Sequence, residues 1–224
     1  MSRVLAYCAF LHDEKISTPA TGVNGAEVKL LAQDRLCLLW SDVGWPFAQA
    51  ELQRNVLDFH AVINGVFRQT AVIPFRLLSV FDGFDALKKF AEEHVARFIA
   101  DLERLQDCVQ MESVVYLIAA KEPADSPSGR AYLQRKAEML RLSSEHAARV
   151  KDAVSVVSRE VQVREVKRGT RIFALVKRGD EDRFRRAVEG VALPGPVSRR
   201  VSGPWPAAEF LSEAVKTPKI AGQP

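Results

Sequence analysis

The residues best suited to move a proton near neutral pH are the four histidines, His12, His60, His94 and His146. Each falls in a different predicted element, and no two have the spacing of a metal-ligand pair. His60 follows Asp58 and Phe59 in an amphipathic stretch, where it would act as a general base only with a nucleophile facing it. Without that partner it reads as a helix histidine bonded to nearby backbone or side chain. Glu92-Glu93-His94 reads as a solvated helix face, because adjacent helix residues point in different directions. Cys8, Cys37 and Cys108 are odd in number, far apart and without CxxC spacing, which argues against a disulfide framework or a zinc site and fits a reducing cytosol. The chain contains no GxSxG, HExxH, P-loop or GxGxxG motif. The residues therefore assemble no catalytic, cofactor-binding or metal site.

Two short stretches carry more information. In Ile73-Pro74-Phe75-Arg76 an arginine directly follows a strand-ending proline, so a rigid planar donor stands at the edge of a sheet. Arg76 is suited to a carboxylate of its own domain, or to one on another protein. In Val201-Ser202-Gly203-Pro204-Trp205-Pro206 two prolines bracket a tryptophan and fix φ near −65° on either side of it. Gly203 lets the preceding strand end in an abrupt turn. A terminal segment so constrained is expected to dock, with Trp205 closing a hydrophobic core. Arg76, Pro74, Gly203, Pro204, Trp205 and Pro206 are thus candidates for holding the architecture, with at most an indirect part in binding.

The elements that position these residues follow from periodicity. At 224 residues, 47% apolar and 27% charged, the chain suits one large domain or two small ones. Its net charge of +4 arises from mixed charges without a basic block. The apolar run after Arg3 stops at His12-Asp13-Glu14-Lys15, too short for a signal peptide or a membrane span, so a cytoplasmic protein is expected.

Val4 to Leu11 reads as a buried strand and residues 12–25 as a loop. Ala26 to Ala32 and Leu36 to Ser41 suit a tight hairpin. A helix is expected from Trp45-Pro46 to about Phe67, then a strand from Thr70 to Pro74 that ends or lies at an edge. From Asp85 the helical period returns through Leu105. A strand from Met111 to Ala120, a loop at 122–129 and a long helix from Arg130 to about Ser158 follow. Val161 to Val166 and Arg171 to Val176 flank a turn at 167–170. Asp180 to Glu189 forms a short helix with an acidic cap, Val197 to Ser202 the last strand, and the tail after Val215 is expected to fray.

The fold class is α+β, with two domains, 1–83 and 84–224, joined by a helix. The second has the βαββαβ order of a ferredoxin-like unit, and the first has the same order with its first helix replaced by the loop at 12–25. Such a sheet also binds RNA through exposed aromatics, and Lys167-Arg168-Gly169-Thr170-Arg171-Ile172-Phe173 begins like an RNP1 strand. Only Phe173 of its stacking positions is aromatic, so an RNA-binding module is the alternative and no nucleic-acid partner is expected.

In the order of its short motifs the chain resembles the gas vesicle protein F/L family. The resemblance runs from Tyr7-Cys8-Ala9-Phe10 and Gly25-Ala26-Glu27-Val28 through His60, Val72-Ile73-Pro74-Phe75-Arg76 and Val80-Phe81. It continues in Gly129-Arg130-Ala131-Tyr132-Leu133 and closes on Ser202-Gly203-Pro204-Trp205-Pro206 and Phe210. The chain departs from the family where Ala207-Ala208-Glu209 replaces Pro-Tyr-Ser and where Leu77-Leu78-Ser79 replaces Phe-Gly-Thr. The resemblance implies a non-enzymatic structural protein without a cofactor, acting in gas vesicle assembly at nucleation or early growth. Its implied partners are the small hydrophobic shell protein and other accessory proteins, with no membrane contact.

Overall fold

The computed structural model describes residues 3–118, 129–166, 169–193 and 197–212. The chain is a mixture of helices and two antiparallel sheets, divided into two compact units. The first comprises Met1–Asp107 with Pro206–Pro224, and the second is Cys108–Trp205.

The first unit is built on strand β1, Arg3–Leu11, whose apolar run is buried from Val4 to Phe10. A sheet with both faces covered asks for such a run rather than for alternation. β1 pairs antiparallel with β3 (Leu36–Val43), which forms a hairpin with β2 (Lys29–Gln33). Helix α1 (Leu52–Phe67) follows, then two-residue strands β4 (Ile73–Pro74) and β5 (Val80–Phe81), both on β1. The sheet order is β2-β3-β1-β4. Helix α2 (Phe84–Leu105) packs on this sheet and buries Leu87, Phe90, Phe98, Leu102 and Leu105, the stripe its period predicts. Phe90 meets Phe75 and Phe81, with ring centroids 6.0 and 5.2 Å apart.

The second unit runs β6 (Cys108–Leu117), α3 (Gly129–Ser155), β7 (Glu160–Val166), β8 (Gly169–Lys177), α4 (Glu181–Glu189) and β9 (Val197–Trp205). Its sheet order is β7-β8-β6-β9, all antiparallel. Val150 and Val154 of α3 and Phe184 and Val188 of α4 supply the helical side of its core.

Four expectations need correction. α2 belongs with the first sheet, so the units divide after Asp107 and not at 83/84. α1 starts at Leu52, not at Trp45-Pro46, because Ala48 is extended (ψ 134°) and Gln49–Glu51 forms a 3-10 turn. Asp180 precedes α4 without capping it through its side chain; its carboxylate accepts from Arg183 at 3.3 Å instead. β9 does not stop at Ser202 but runs on to Trp205. The loop at 122–128, residues 167–168 of the turn and the tail after Val215 lie outside the described residues.

Candidate functional site

The loop at 12–25, read as a loop from its sequence, is anchored by one buried side chain. Tyr7 sits in a bulge of β1 and is fully buried. Its hydroxyl donates to Ser41 Oγ and accepts from the Val23 amide, both at 3.0 Å. Ser41 Oγ in turn donates to the Glu27 carbonyl at 2.7 Å. Burial raises the Tyr7 pKa, opposed by the bonds to Ser41 and Val23. Gly22 is needed beside it, since a Cβ there would lie 2.2 Å from the Tyr7 hydroxyl. Farther along, the Gln69 side chain holds both the amide and the carbonyl of Ser17, at 2.9 and 2.8 Å. The loop is therefore built into the fold.

Arg76 is placed by the edge. Pro74 pairs with Cys8, and the Phe75 amide donates to the Tyr7 carbonyl at 2.8 Å. Residues 76–79 then turn tightly, with the Ser79 amide on the Arg76 carbonyl at 2.8 Å and the Arg76 amide on Ser79 Oγ at 3.2 Å. The guanidinium is exposed and forms no ion pair among the described residues, so pairing within its own domain is not observed.

The Gly203-Pro204-Trp205 segment behaves differently from the expectation. A register shift between Gln110 and Glu112 accommodates it on β6, and the strand continues. Gly203 adopts φ +111°, and a Cβ there would stand 2.8 Å from the Gln110 carbonyl oxygen. Arg185 donates to the Gly203 carbonyl at 2.8 Å. Trp205 does not close a core: it is 46% exposed, and its Nε1 reaches Ser202 Oγ at 3.4 Å. The docking falls one step later. Ala207, Phe210 and Leu211 are buried in the first unit, and Asp101 of α2 accepts from both the amide and the hydroxyl of Ser212 at 2.9 Å. Arg104 pairs with Asp101 at 3.3 Å and donates to the Phe210 carbonyl. Asp101 escaped the sequence reading. The signal was a carboxylate within the stripe Phe98, Leu102 and Leu105.

The histidines stay apart. His94 stacks on Phe90 and places Nδ1 on the Phe90 carbonyl at 2.8 Å; His146 does the same with Leu142 at 2.6 Å. His12 and His60 are exposed. A cleft of about 150 Å³ in the first unit is lined by His12, Asp13, Arg35, Thr70 and Gln106, and neither His60 nor Arg76 reaches it. The described residues hold no His/Cys/Asp/Glu cluster able to bind a metal, and no described helix is long and apolar enough to cross a membrane. Phe173 is buried beneath Arg164, 5.3 Å from its ring, and so is closed to a stacking base.

These features define an α+β protein of two antiparallel sheets in which Arg76, two residues past β4, and Trp205, at the end of β9, are exposed. Residues 3–212 match the gas vesicle synthesis protein GvpL/GvpF family, and the chain belongs to it. Its fold is similar to the crystal structure of the gas vesicle protein GvpF from Anabaena sp. PCC7120, with a TM-score of 0.75 at 13% identity over 95% of this chain and 97% of that one. It is similar also to GvpF from Microcystis aeruginosa, with a TM-score of 0.73 at 12% identity over 95% of this chain and 100% of that one. No curated protein matches the chain in sequence.

Proposed function

We propose that this chain is a non-enzymatic, cytoplasmic accessory protein of gas vesicle assembly that binds the small shell protein at nucleation or early growth. The observation that carries the proposal is the family match across residues 3–212, whose description is gas vesicle synthesis. The sheets support a protein-binding role. Both run second-third-first-fourth in local strand number, the order of a ferredoxin-like unit, with the Tyr7-anchored loop in place of one helix of the first. Such sheets leave strand edges open, and a hydrophobic subunit that polymerises through strands must be held before it enters a wall. Other accessory proteins of the same process are further partners. Arg76, with its guanidinium unpaired among the described residues, and Trp205, with its exposed ring, are contact candidates; Pro74, Gly203, Pro204 and Pro206 set the backbone that presents them.

The test is capture of the shell protein by the full chain, with single-stranded RNA offered in parallel. Capture of shell protein, and no salt-dependent RNA binding, is the expected result. Retention of RNA with a steep salt dependence and no shell protein would favour the alternative instead.

A further inference from the structure

Positive charge is concentrated in the second unit. Residues 108–205 hold 19 Lys and Arg against 12 Asp and Glu, whereas the rest of the chain holds 13 against 16. The sheet shows where part of that charge gathers. Val109, Met111, Ser113 and Val115 of β6 are fully buried on the side covered by α3 and α4, so alternation sends Glu112, Val114 and Tyr116 to the opposite face. Cross-strand partners share a face, and the register puts Arg164 of β7, Arg171 of β8, Val114 of β6 and Arg200 of β9 in one row. Side-chain contacts agree with this placement. Arg171 pairs with Glu112 at 3.3 Å, and Arg164 lies over Phe173, the residue opposite Glu112. Arg199, one position before Arg200, donates instead to the Glu189 and Val191 carbonyls at the end of α4, on the helical side.

Three exposed arginines therefore stand in a row across four strands, with Val114 half-buried between the second and the third. At about 4.8 Å between neighbouring strands, the row spans about 14 Å. Arg164 and Arg171 are directly opposite, and like charges so placed repel. The adjoining rows hold one carboxylate, that of Glu112, and Arg171 takes it. Arg200 has no ion pair among the described residues. The complement of this row is a set of anions about an apolar centre.

We propose that the row is a docking site for an acidic segment of a partner protein, which sets carboxylates on the arginines and an apolar side chain on Val114. Nucleic acid would supply the same charge, but on a sheet it needs aromatic surfaces for its bases. Phe173 is buried beneath Arg164, the centre of the row is aliphatic, and Tyr116 beside it is half-buried. The site stands independently of the shell protein as a partner.

The probe is a fluorescein-labelled peptide of repeated Glu-Glu-Leu, with a Gln-Gln-Leu peptide of the same length and oligouridylate as comparisons. The full chain is expected to bind Glu-Glu-Leu at least about tenfold more tightly than Gln-Gln-Leu. Arg200→Gln should weaken binding of Glu-Glu-Leu at least about threefold, and the double variant Arg171→Gln/Arg200→Gln at least about tenfold. Arg141→Gln removes the same charge from an exposed position on α3 of the same unit and should stay within about twofold. Equal losses for Arg141→Gln and Arg200→Gln would show that net charge alone is felt, and would overturn the proposal. Tighter binding of oligouridylate than of Glu-Glu-Leu would overturn it in favour of nucleic acid, and no binding of Glu-Glu-Leu to the folded wild type would overturn it outright. NMR of the wild type decides the matter without any variant. Saturating Glu-Glu-Leu is expected to shift the Val114 methyl and Arg200 amide signals, and unchanged signals at both would place the peptide elsewhere.

Discussion

Replacing Gly22 by alanine would place a methyl group 2.2 Å from the Tyr7 hydroxyl, where ordinary contact begins at 3.4 Å. The ring is fully buried, so the hydroxyl has to retreat by more than the tolerance of its two 3.0 Å bonds to Ser41 and Val23. Loss of both bonds at about 1 kcal/mol each, with overpacking added, gives a destabilisation of about 2–4 kcal/mol. Tyr7→Phe removes the same bonds without the overlap and leaves the Val23 amide unpaired, for about 1–3 kcal/mol. The two changes damage one interaction, so they cannot add. In the double variant the hydroxyl is gone and the nearest ring atom is Cζ, 2.8 Å from the new methyl. Its cost should therefore fall short of the sum of the single costs by at least about 1 kcal/mol. Urea unfolding of the four proteins, with m-values compared to confirm a common denatured state, measures this coupling. Additivity to within about 0.5 kcal/mol would refute the claim that Gly22 is required by the Tyr7 hydroxyl.

Gly203→Ala meets both a left-handed φ and the Gln110 carbonyl oxygen at 2.8 Å, and should cost about 2 kcal/mol or more in the same assay. Trp205→Ala is expected to change stability by less than about 1 kcal/mol while weakening capture of shell protein, since the ring is half in solvent; a large fall in melting temperature would return it to the core. Asp101→Asn should destabilise the protein by about 1–3 kcal/mol by weakening the hold on Ser212 and Arg104. Burial pushes the Cys8 thiol up to about 12, against an ordinary value near 9. A raised folded-state pKa gives stability that is whole below the unfolded value and is lost as pH rises toward the folded one. Between pH 9 and 12 the wild type should thus lose stability faster than Cys8→Ala, by up to about 1.4 kcal/mol per pH unit; parallel curves would mean that Cys8 titrates as if exposed.

Much of the architecture was legible because long periodic segments announce themselves. The Val4–Leu11 run, the α2 stripe and the hairpins at Asp34-Arg35 and after Val166 fell where apolar period and turn residues put them. β5 was not legible, because two residues have no period. The continuation of β9 was hidden by two prolines that read as a stop, although an edge strand accommodates proline on its free side. That single misreading moved the docking from Phe210 to Trp205. Tyr7 looked like one more apolar residue, since its partners Val23 and Ser41 lie 16 and 34 positions away and no local pattern links them. The domain boundary failed for a related reason. Residues 206–212 return to the first unit, and a contact of Ser212 with Asp101 across 111 positions leaves no trace in composition. A cut at 83/84 would strip α2 from the sheet it covers.

The central claim is that this chain acts in building gas vesicles. The most direct measurement removes it from cells that form them, counts vesicles by electron microscopy, and repeats the count after the intact chain is restored. The account predicts that vesicles are lost without the chain and return with it. Vesicles of normal number and shape in its absence would contradict it.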